Sequence, residues 1–278
     1  MVSPLATLRP VRPVRAALAL LAAAAVSSSQ AAPMAWVLNT NQTLEVVNVA
    51  NNADVPAGSL PFASDSLAVS AAGTLYTADG FGNLWDVTGP PIPVGPTMRT
   101  QIADLDWAGN GLWGYSNATQ ELFFFDLGTT SVTYAVTLAL PASLPPTAIV
   151  TGVAHQASSG DLFLSAHNGV NTDVLLRVPA ASAVALLVGP LVHGDSFSHV
   201  SDIDFDAGGN LVAMTWFHRW FYTVSPTTAA MNFLSSGPHR DTTAFALAPV
   251  PEPPGALLAG AGLALLGGLA RRRRAAAR

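Results

Sequence analysis

Cysteine is absent from all 278 residues, so no disulfide staples the chain and no lipoprotein attachment site exists. Lysine is absent too, and the 12 basic residues are arginines crowded towards the two ends. Only Arg99, Arg177, Arg219 and Arg240 lie between residues 32 and 249, against 16 acids in the same stretch. That body carries a net charge of about −12, which makes nucleic acid and anionic surfaces poor partners. Glutamate is scarce there as well, with Glu45 and Glu121 the only two. Also missing is any sustained apolar run at helical spacing, which argues against a helical body. Roughly 215 residues remain once the ends are set aside, enough to bury a core without cross-links.

What is present begins with those ends. Arg9, Arg12 and Arg15 precede an 11-residue Ala/Leu/Val core at 16–26, and Ser29-Gln30-Ala31 sets small residues where a signal peptidase cuts. Residues 1–31 therefore read as a secretory signal peptide. Its arginines are never adjacent, which points to general secretion rather than a twin-arginine route. At the other end, Pro251-Glu252-Pro253-Pro254 leads into an uncharged run at 255–270, closed by Arg271, Arg272, Arg273 and Arg274. As a transmembrane helix that run spans roughly 24 Å against about 30 Å of hydrocarbon, a gap that snorkelling arginines can close. With both basic clusters kept in the cytoplasm, the body at 32–249 lies on the far side of the membrane.

The order of features at 250–278 resembles the PEP-CTERM sorting signal of Gram-negative bacteria, with Pro251, Glu252 and Pro253 as the tripeptide and Arg271, Arg272, Arg273 and Arg274 as the basic end. The resemblance implies that a membrane-embedded exosortase recognises the tripeptide and removes the tail. It implies signal peptidase, the exosortase and, transiently, the inner membrane as partners, and a mature product in the envelope or outside the cell. It covers about a tenth of the chain and says nothing of residues 33–249. An ordinary single-span C-terminal anchor is the alternative.

Within the body, short alternating or aromatic-rich runs at 36–39, 44–49, 66–70, 75–77, 84–87, 122–127 and 132–138 are each stopped by Gly, Pro, Asn or Asp. This pattern predicts an all-β chain. A four-part unit then recurs. Its first strands are Ser66-Leu67-Ala68-Val69, Asp104-Leu105-Asp106-Trp107, Gly152-Val153-Ala154-His155 and Asp202-Ile203-Asp204-Phe205. Each is followed by a Gly-x-Leu-type second strand, an aromatic or aliphatic third and a fourth, the last two fourths falling at 183–188 and 231–235. Ala244-Phe245-Ala246-Leu247 reads as a fifth first strand, and Ala35-Trp36-Val37-Leu38 and Leu44-Glu45-Val46-Val47 as the second and third strands that it lacks. Between Leu67, Leu105, Val153, Ile203 and Phe245 the repeat lengths are 38, 48, 50 and 42 residues. Four strands at that period predict a β-propeller of five blades, closed by joining the two ends of the domain. A β-sandwich or a β-rich solenoid would share its degenerate turns.

In a propeller the first strand lines the central channel. Its first and third positions share a face and are Ser, Gly or Ala in three blades but aspartate in two, giving Asp104, Asp106, Asp202 and Asp204. These carboxylates could hold a cation or water cluster, act as paired acids on a sugar with Asp106 and Asp204 foremost, or satisfy strand and turn amides. The run 202–206 imitates a calcium loop, but Ala207 and Ala213 stand where glycine and a bidentate glutamate are needed, so no metal site is expected. Gly194-Asp195-Ser196-Phe197 imitates an esterase motif without the α/β sheet that it requires. His155, His167, His193, His199, His218 and His239 show no ligand spacing and read as turn or packing residues. In the hairpin at 216–221, Trp216 and Trp220 are candidates for stacking on sugar rings.

Two functional classes follow. The first is a non-catalytic secreted or cell-surface propeller, without cofactor, that binds a ligand or matrix component such as exopolysaccharide. The second is a propeller hydrolase or lyase that turns the channel carboxylates on polysaccharide; it is weakened because Glu45 and Glu121 sit on third strands, away from the axis.

Overall fold

Apolar residues at alternate positions, each run stopped by a turn former, fold as strands and nothing else in the described part of this chain. The computed structural model describes residues 33–168, 172–194 and 198–248, all within one unit that starts at Pro33. The segment 1–31 expected to be a signal peptide, the tail at 250–278 and the Asp195-Ser196-Phe197 part of the esterase-like motif lie outside the described residues. Among the described residues no helix is long and apolar enough to cross a membrane.

The strands form five antiparallel sheets of four. The second blade is β4 (Ala68–Val69), β5 (Leu75–Ala78), β6 (Asn83–Asp86) and β7 (Ile92–Pro96). The third is β8 (Ile102–Ala108), β9 (Gly111–Ser116), β10 (Glu121–Asp126) and β11 (Ser131–Thr137). The fourth is β12 (Ile149–Gln156), β13 (Asp161–His167), β14 (Asp173–Val178) and β15 (Leu186–Leu191). The fifth is β16 (Val200–Phe205), β17 (Leu211–Thr215), β18 (Phe221–Val224) and β19 (Met231–Ser235). The first blade joins both ends of the domain: β20 (Thr242–Leu247) pairs with β1 (Met34–Asn39), which continues into β2 (Thr43–Asn48) and β3 (Asp54–Ser59). The five-bladed ring and its closure are therefore as the repeats predict.

The recurring glycine in the turn between first and second strands has a backbone cause. Gly73, Gly109, Gly160 and Gly209 all hold φ between +67° and +84°, the left-handed region that glycine enters without a Cβ penalty. Apolar faces of neighbouring blades then pack together. Between the second and third blades, for example, Leu84, Leu105, Leu112, Phe123 and Phe125 form one buried cluster, each side chain contributing about 1.5–3 kcal/mol.

The closing blade is also tied to the fifth through polar contacts. Arg219, on the turn between β17 and β18, is fully buried. Its Nη1 meets Glu45 at 2.5 Å, its Nε donates to Asn52 Oδ1 at 2.8 Å, and its carbonyl accepts from Asn52 Nδ2 at 2.8 Å. Arg240 pairs with the same Glu45 and, at 3.0 Å, with Asp54.

Three details depart from the sequence reading. The outer strand β3 was not foreseen, because Asp54, Pro56 and Gly58 carry no apolar face and five of its six residues are exposed. The first strand of the second blade shrinks to Ala68–Val69, because hydroxyls replace its upstream ladder: Thr77 Oγ1 donates to the Ser66 carbonyl at 2.6 Å and Ser66 Oγ accepts from Ala78 N at 3.1 Å. The fourth strand expected at 183–188 instead starts at Leu186, and Val184 makes a parallel bridge to Ala139.

Candidate functional site

Alternate residues of the innermost strands β8, β12, β16 and β20, and of β4 with the segment just before it, face the axis and fill it in two layers. The first holds Ser66, Asp104, Gly152, Asp202 and Ala244, and the second Ala68, Asp106, Ala154, Asp204 and Ala246. Such convergence demands small side chains on some strands. A Cβ on Gly152 would lie 2.7 Å from the Ile203 nitrogen and 2.8 Å from Asp202 Cα.

An innermost strand also presents an unpaired edge, whose amides need acceptors. The aspartates supply them. Asp104 Oδ2 accepts from Val153 N at 2.9 Å, and Asp106 Oδ2 from His155 N, which stitches β8 to β12. Asp202 Oδ2 accepts from Phe245 N at 2.7 Å and Asp204 Oδ2 from Leu247 N at 2.6 Å, which stitches β16 to β20 in the same way. The remaining oxygens take Leu67 N at 3.4 Å for Asp104 and the next amide along the chain, each at 2.6 Å, for the other three.

Between these strands β12 offers only Gly152 and Ala154, so the acids of β8 and β16 meet over it. Asp104 and Asp202 hydrogen-bond to each other, which needs one retained proton. Burial pushes Asp104, Asp202 and Asp204 well above the ordinary carboxylate range. Burial likewise lifts Asp106 to about 7, against the pull of the amides of His155 and Trp107. Asp106 and Asp204 of the second layer line a cavity of about 560 Å³ where the inner strands end, the lower mouth, walled by Trp107, His155 and Phe205.

A second cavity, of about 370 Å³, opens where the inner strands begin. A repeated bulge shapes this upper mouth. The pairing register slips between Ile102 and Asp104, between Val150 and Gly152, between Val200 and Asp202, and opposite Leu38 and Asn39 in β20. The slips leave Ala103, Thr151, Ser201 and Thr243 as extra residues, and all four line the mouth together with Asp65 of the second blade. A bulge interrupts the alternation and re-aims one side chain per strand. Gln101, His199 and Trp216 also line it, beside Asn117 and the apolar Ile102, Ile149 and Val150.

Several of these groups are engaged within the protein. Thr151 Oγ1 bonds Ser165 Oγ at 2.9 Å, Ser201 Oγ donates to the Met214 carbonyl at 3.2 Å, and Thr243 Oγ1 to the Leu38 carbonyl at 3.3 Å. Among the described residues none hydrogen-bonds the side chains of Asp65, Gln101, His199 or Trp216. The Trp216 indole is nonetheless held in place, since His199 stacks on it at 5.4 Å and 17° and Phe217 packs at 5.9 Å. Behind His199, Asp173 takes His167 Nδ1 at 2.9 Å, His193 Nε2 at 3.1 Å and Val200 N at 2.7 Å. Burial pushes the His199 imidazole below its usual pKa, seconded by His167 and His193 and opposed by Asp173.

The sequence candidates thus divide. Asp106 and Asp204 come together at the lower mouth, with Asp104 and Asp202 above them. Trp216 belongs to the upper mouth, whereas Trp220 does not line it: Trp220 stacks on His218 at 5.5 Å and meets Phe233 edge-on at 5.8 Å. Glu45 and Glu121 are ion-paired off the axis, Glu121 to Arg99 at 3.1 Å. The sequence reading missed Asp65, Gln101 and His199 as mouth residues and Asp173 as the acceptor for two histidines. Their one visible sign is position: Asp65, Thr151, Ser201 and Thr243 each stand immediately before an aligned first strand, and Gln101 and His199 three residues before one.

Fold and channel together define a five-bladed β-propeller whose axis is plugged by hydrogen-bonded aspartates and open to solvent at two mouths. No protein-family model matches the chain, and no curated protein does. Among solved structures it is similar to a chain in a nidogen/laminin complex, with a TM-score of 0.55 at 8% identity over 78% of this chain and 98% of that one. It is also similar to the extracellular domain of a putative hybrid two-component system from B. thetaiotaomicron, with a TM-score of 0.42 at 11% identity, over 72% of this chain but 26% of that one. At such identities the first likeness is one of fold.

Proposed function

We propose that this protein is an exported, non-catalytic binding propeller that takes a saccharide, such as exopolysaccharide of the extracellular matrix, at its upper mouth. The observation that carries the reading is the contrast between the two mouths. Every carboxylate oxygen of Asp104, Asp106, Asp202 and Asp204 accepts a backbone amide, so these acids hold blades together. At the upper mouth an indole, an imidazole, a carboxamide and a carboxylate converge on one cavity with hydrogen-bonding capacity to spare. An aromatic face beside such groups suits a sugar ring. In this reading signal peptidase removes residues 1–31, and the tail carrying Pro251, Glu252 and Pro253 anchors the chain in the inner membrane until an exosortase-type enzyme cuts it.

The second reading, a polysaccharide hydrolase or lyase, draws on Asp106 and Asp204, which share a cavity and are both raised. Acid–base catalysis needs one carboxyl raised and its partner left low. Here burial moves both in one direction, and both are clamped to the main chain. The test is binding of the full chain, in detergent, to polysaccharide isolated from its host, followed by indole fluorescence. Trp216→Ala is expected to weaken binding about tenfold, a stacking contribution near 1.4 kcal/mol, whereas Asp106→Asn leaves the affinity unchanged. Unchanged affinity in Trp216→Ala would remove the upper mouth as the site.

A further inference from the structure

The charge census around the upper mouth narrows what it can hold. The chain contains no lysine. All four arginines of the body are committed elsewhere: Arg99 to Glu121 at 3.1 Å, Arg177 to Asp161 at 2.6 Å, Arg219 to Glu45 at 2.5 Å and Arg240 to Asp54 at 3.0 Å. None of them lines the cavity, and burial favours the neutral form of the imidazole that does, His199. The one full charge in the wall is the carboxylate of Asp65, and no described residue donates to it. Asp65 is exposed at the rim of the cavity, its carboxyl raised somewhat by partial burial, and a carboxylate without a partner gains from an incoming cation. Trp216, stacked on one side by His199, adds an indole to the same wall, and the open face of an indole attracts ammonium groups.

We infer that the upper mouth selects amine-bearing glycans, with the ammonium group of a non-acetylated amino sugar against Asp65 and its ring against Trp216. The inference rests on the saccharide-binding reading and adds the ligand's charge to it. Uronate, sulfate and phosphate groups are rejected, because no cation waits for them and the body's charge of about −12 repels them. Neutral sugars retain only stacking and the contacts of Gln101.

The experiment is titration of the full chain at pH 6, where the sugar amine is protonated, with tetramers of glucosamine, of N-acetylglucosamine and of galacturonic acid. The glucosamine tetramer is expected to bind about tenfold more tightly than its acetylated form, and the galacturonate tetramer not measurably. Asp65→Asn should erase the preference for the amine while leaving binding of the acetylated tetramer intact. Asp126→Asn, which removes one charge on the lower side of its blade, should leave the preference in place and so separate local recognition from overall attraction. Equal binding of the amine and its acetylated form overturns amine selection while the saccharide reading stands. Galacturonate binding overturns it too. Binding of none of the three by a folded protein overturns both.

Discussion

Gly152 shows how much of this channel depends on one missing methyl group. It sits on β12 between two strands that each bring two aspartates, and its Cα faces the Asp202 backbone. Besides Asp202 Oδ1, an added Cβ would meet the Ile203 nitrogen and Asp202 Cα, main-chain atoms that cannot rotate aside. Gly152→Ala must therefore push β12 away from β16, at a cost of roughly 1–3 kcal/mol. A urea midpoint lowered to match, with the dependence on denaturant unchanged, is the expected outcome. Ala154→Gly, one layer down, removes a methyl group without a clash and serves as the comparison. If Gly152→Ala were neutral, the inner strands would be looser than the spacing of their atoms implies.

At the scale of the element, the inner strands are coupled through protons as well as packing. In the unfolded chain Asp106 and Asp204 ionise near 3.8, whereas in the fold Asp106 rises to about 7 and Asp204 well above its ordinary value. A raised carboxyl means that the folded state holds its proton after the unfolded state has released it. Stability from these groups is thus fullest below about pH 4 and is lost as pH rises towards 7. The slope reaches about 1.4 kcal/mol per pH unit for each proton. His155 and His199, both shifted down by burial, slope the other way, so the informative quantity is a difference. The stability of the wild type minus that of Asp106→Asn/Asp204→Asn should fall between pH 4 and pH 7. A flat difference would mean that the two acids titrate as ordinary surface groups.

The same elements show what could be read in advance. Strands and blade number were legible because each turn reuses a left-handed glycine before a Leu or Val, and because alternation survives in every inner strand. The facing of Asp104, Asp106, Asp202 and Asp204 followed from that alternation alone. Their amide partners did not, since Val153, His155, Phe245 and Leu247 lie 43–49 residues away in the next inner strand. The upper mouth was hidden for a different reason. A bulge adds one residue of no fixed type, here Ala103, Thr151, Ser201 or Thr243, and nothing in the local sequence distinguishes it from ordinary strand. Trp216 stood out by being aromatic, while Asp65 and Gln101 looked like loop polarity.

For the whole molecule, the direction of the inner strands sets which mouth faces which way. β20 runs from the upper mouth to the lower one and the described chain ends at Ala248, which lines the lower cavity and donates to the Met34 carbonyl at 2.7 Å. From there to Pro254 are six residues, at most about 20 Å of chain. If 255–270 is the anchor proposed above, the lower mouth is held against the bilayer and the upper mouth, with Asp65 and Trp216, is presented outwards. A saccharide could then be bound before the tail is cut as well as after. The absence of native cysteine makes the orientation measurable with single introduced thiols. Ala207, in the exposed turn between β16 and β17, reports the lower side, and Phe81, 84% exposed in the turn between β5 and β6, reports the upper. With the full chain in liposomes, a fluorophore at Ala207→Cys should be quenched by headgroup nitroxides far more than one at Phe81→Cys, since roughly 20 Å of strand separates the two sides. Equal quenching, or stronger quenching at Phe81→Cys, would mean that the tail does not hold the propeller by its lower face.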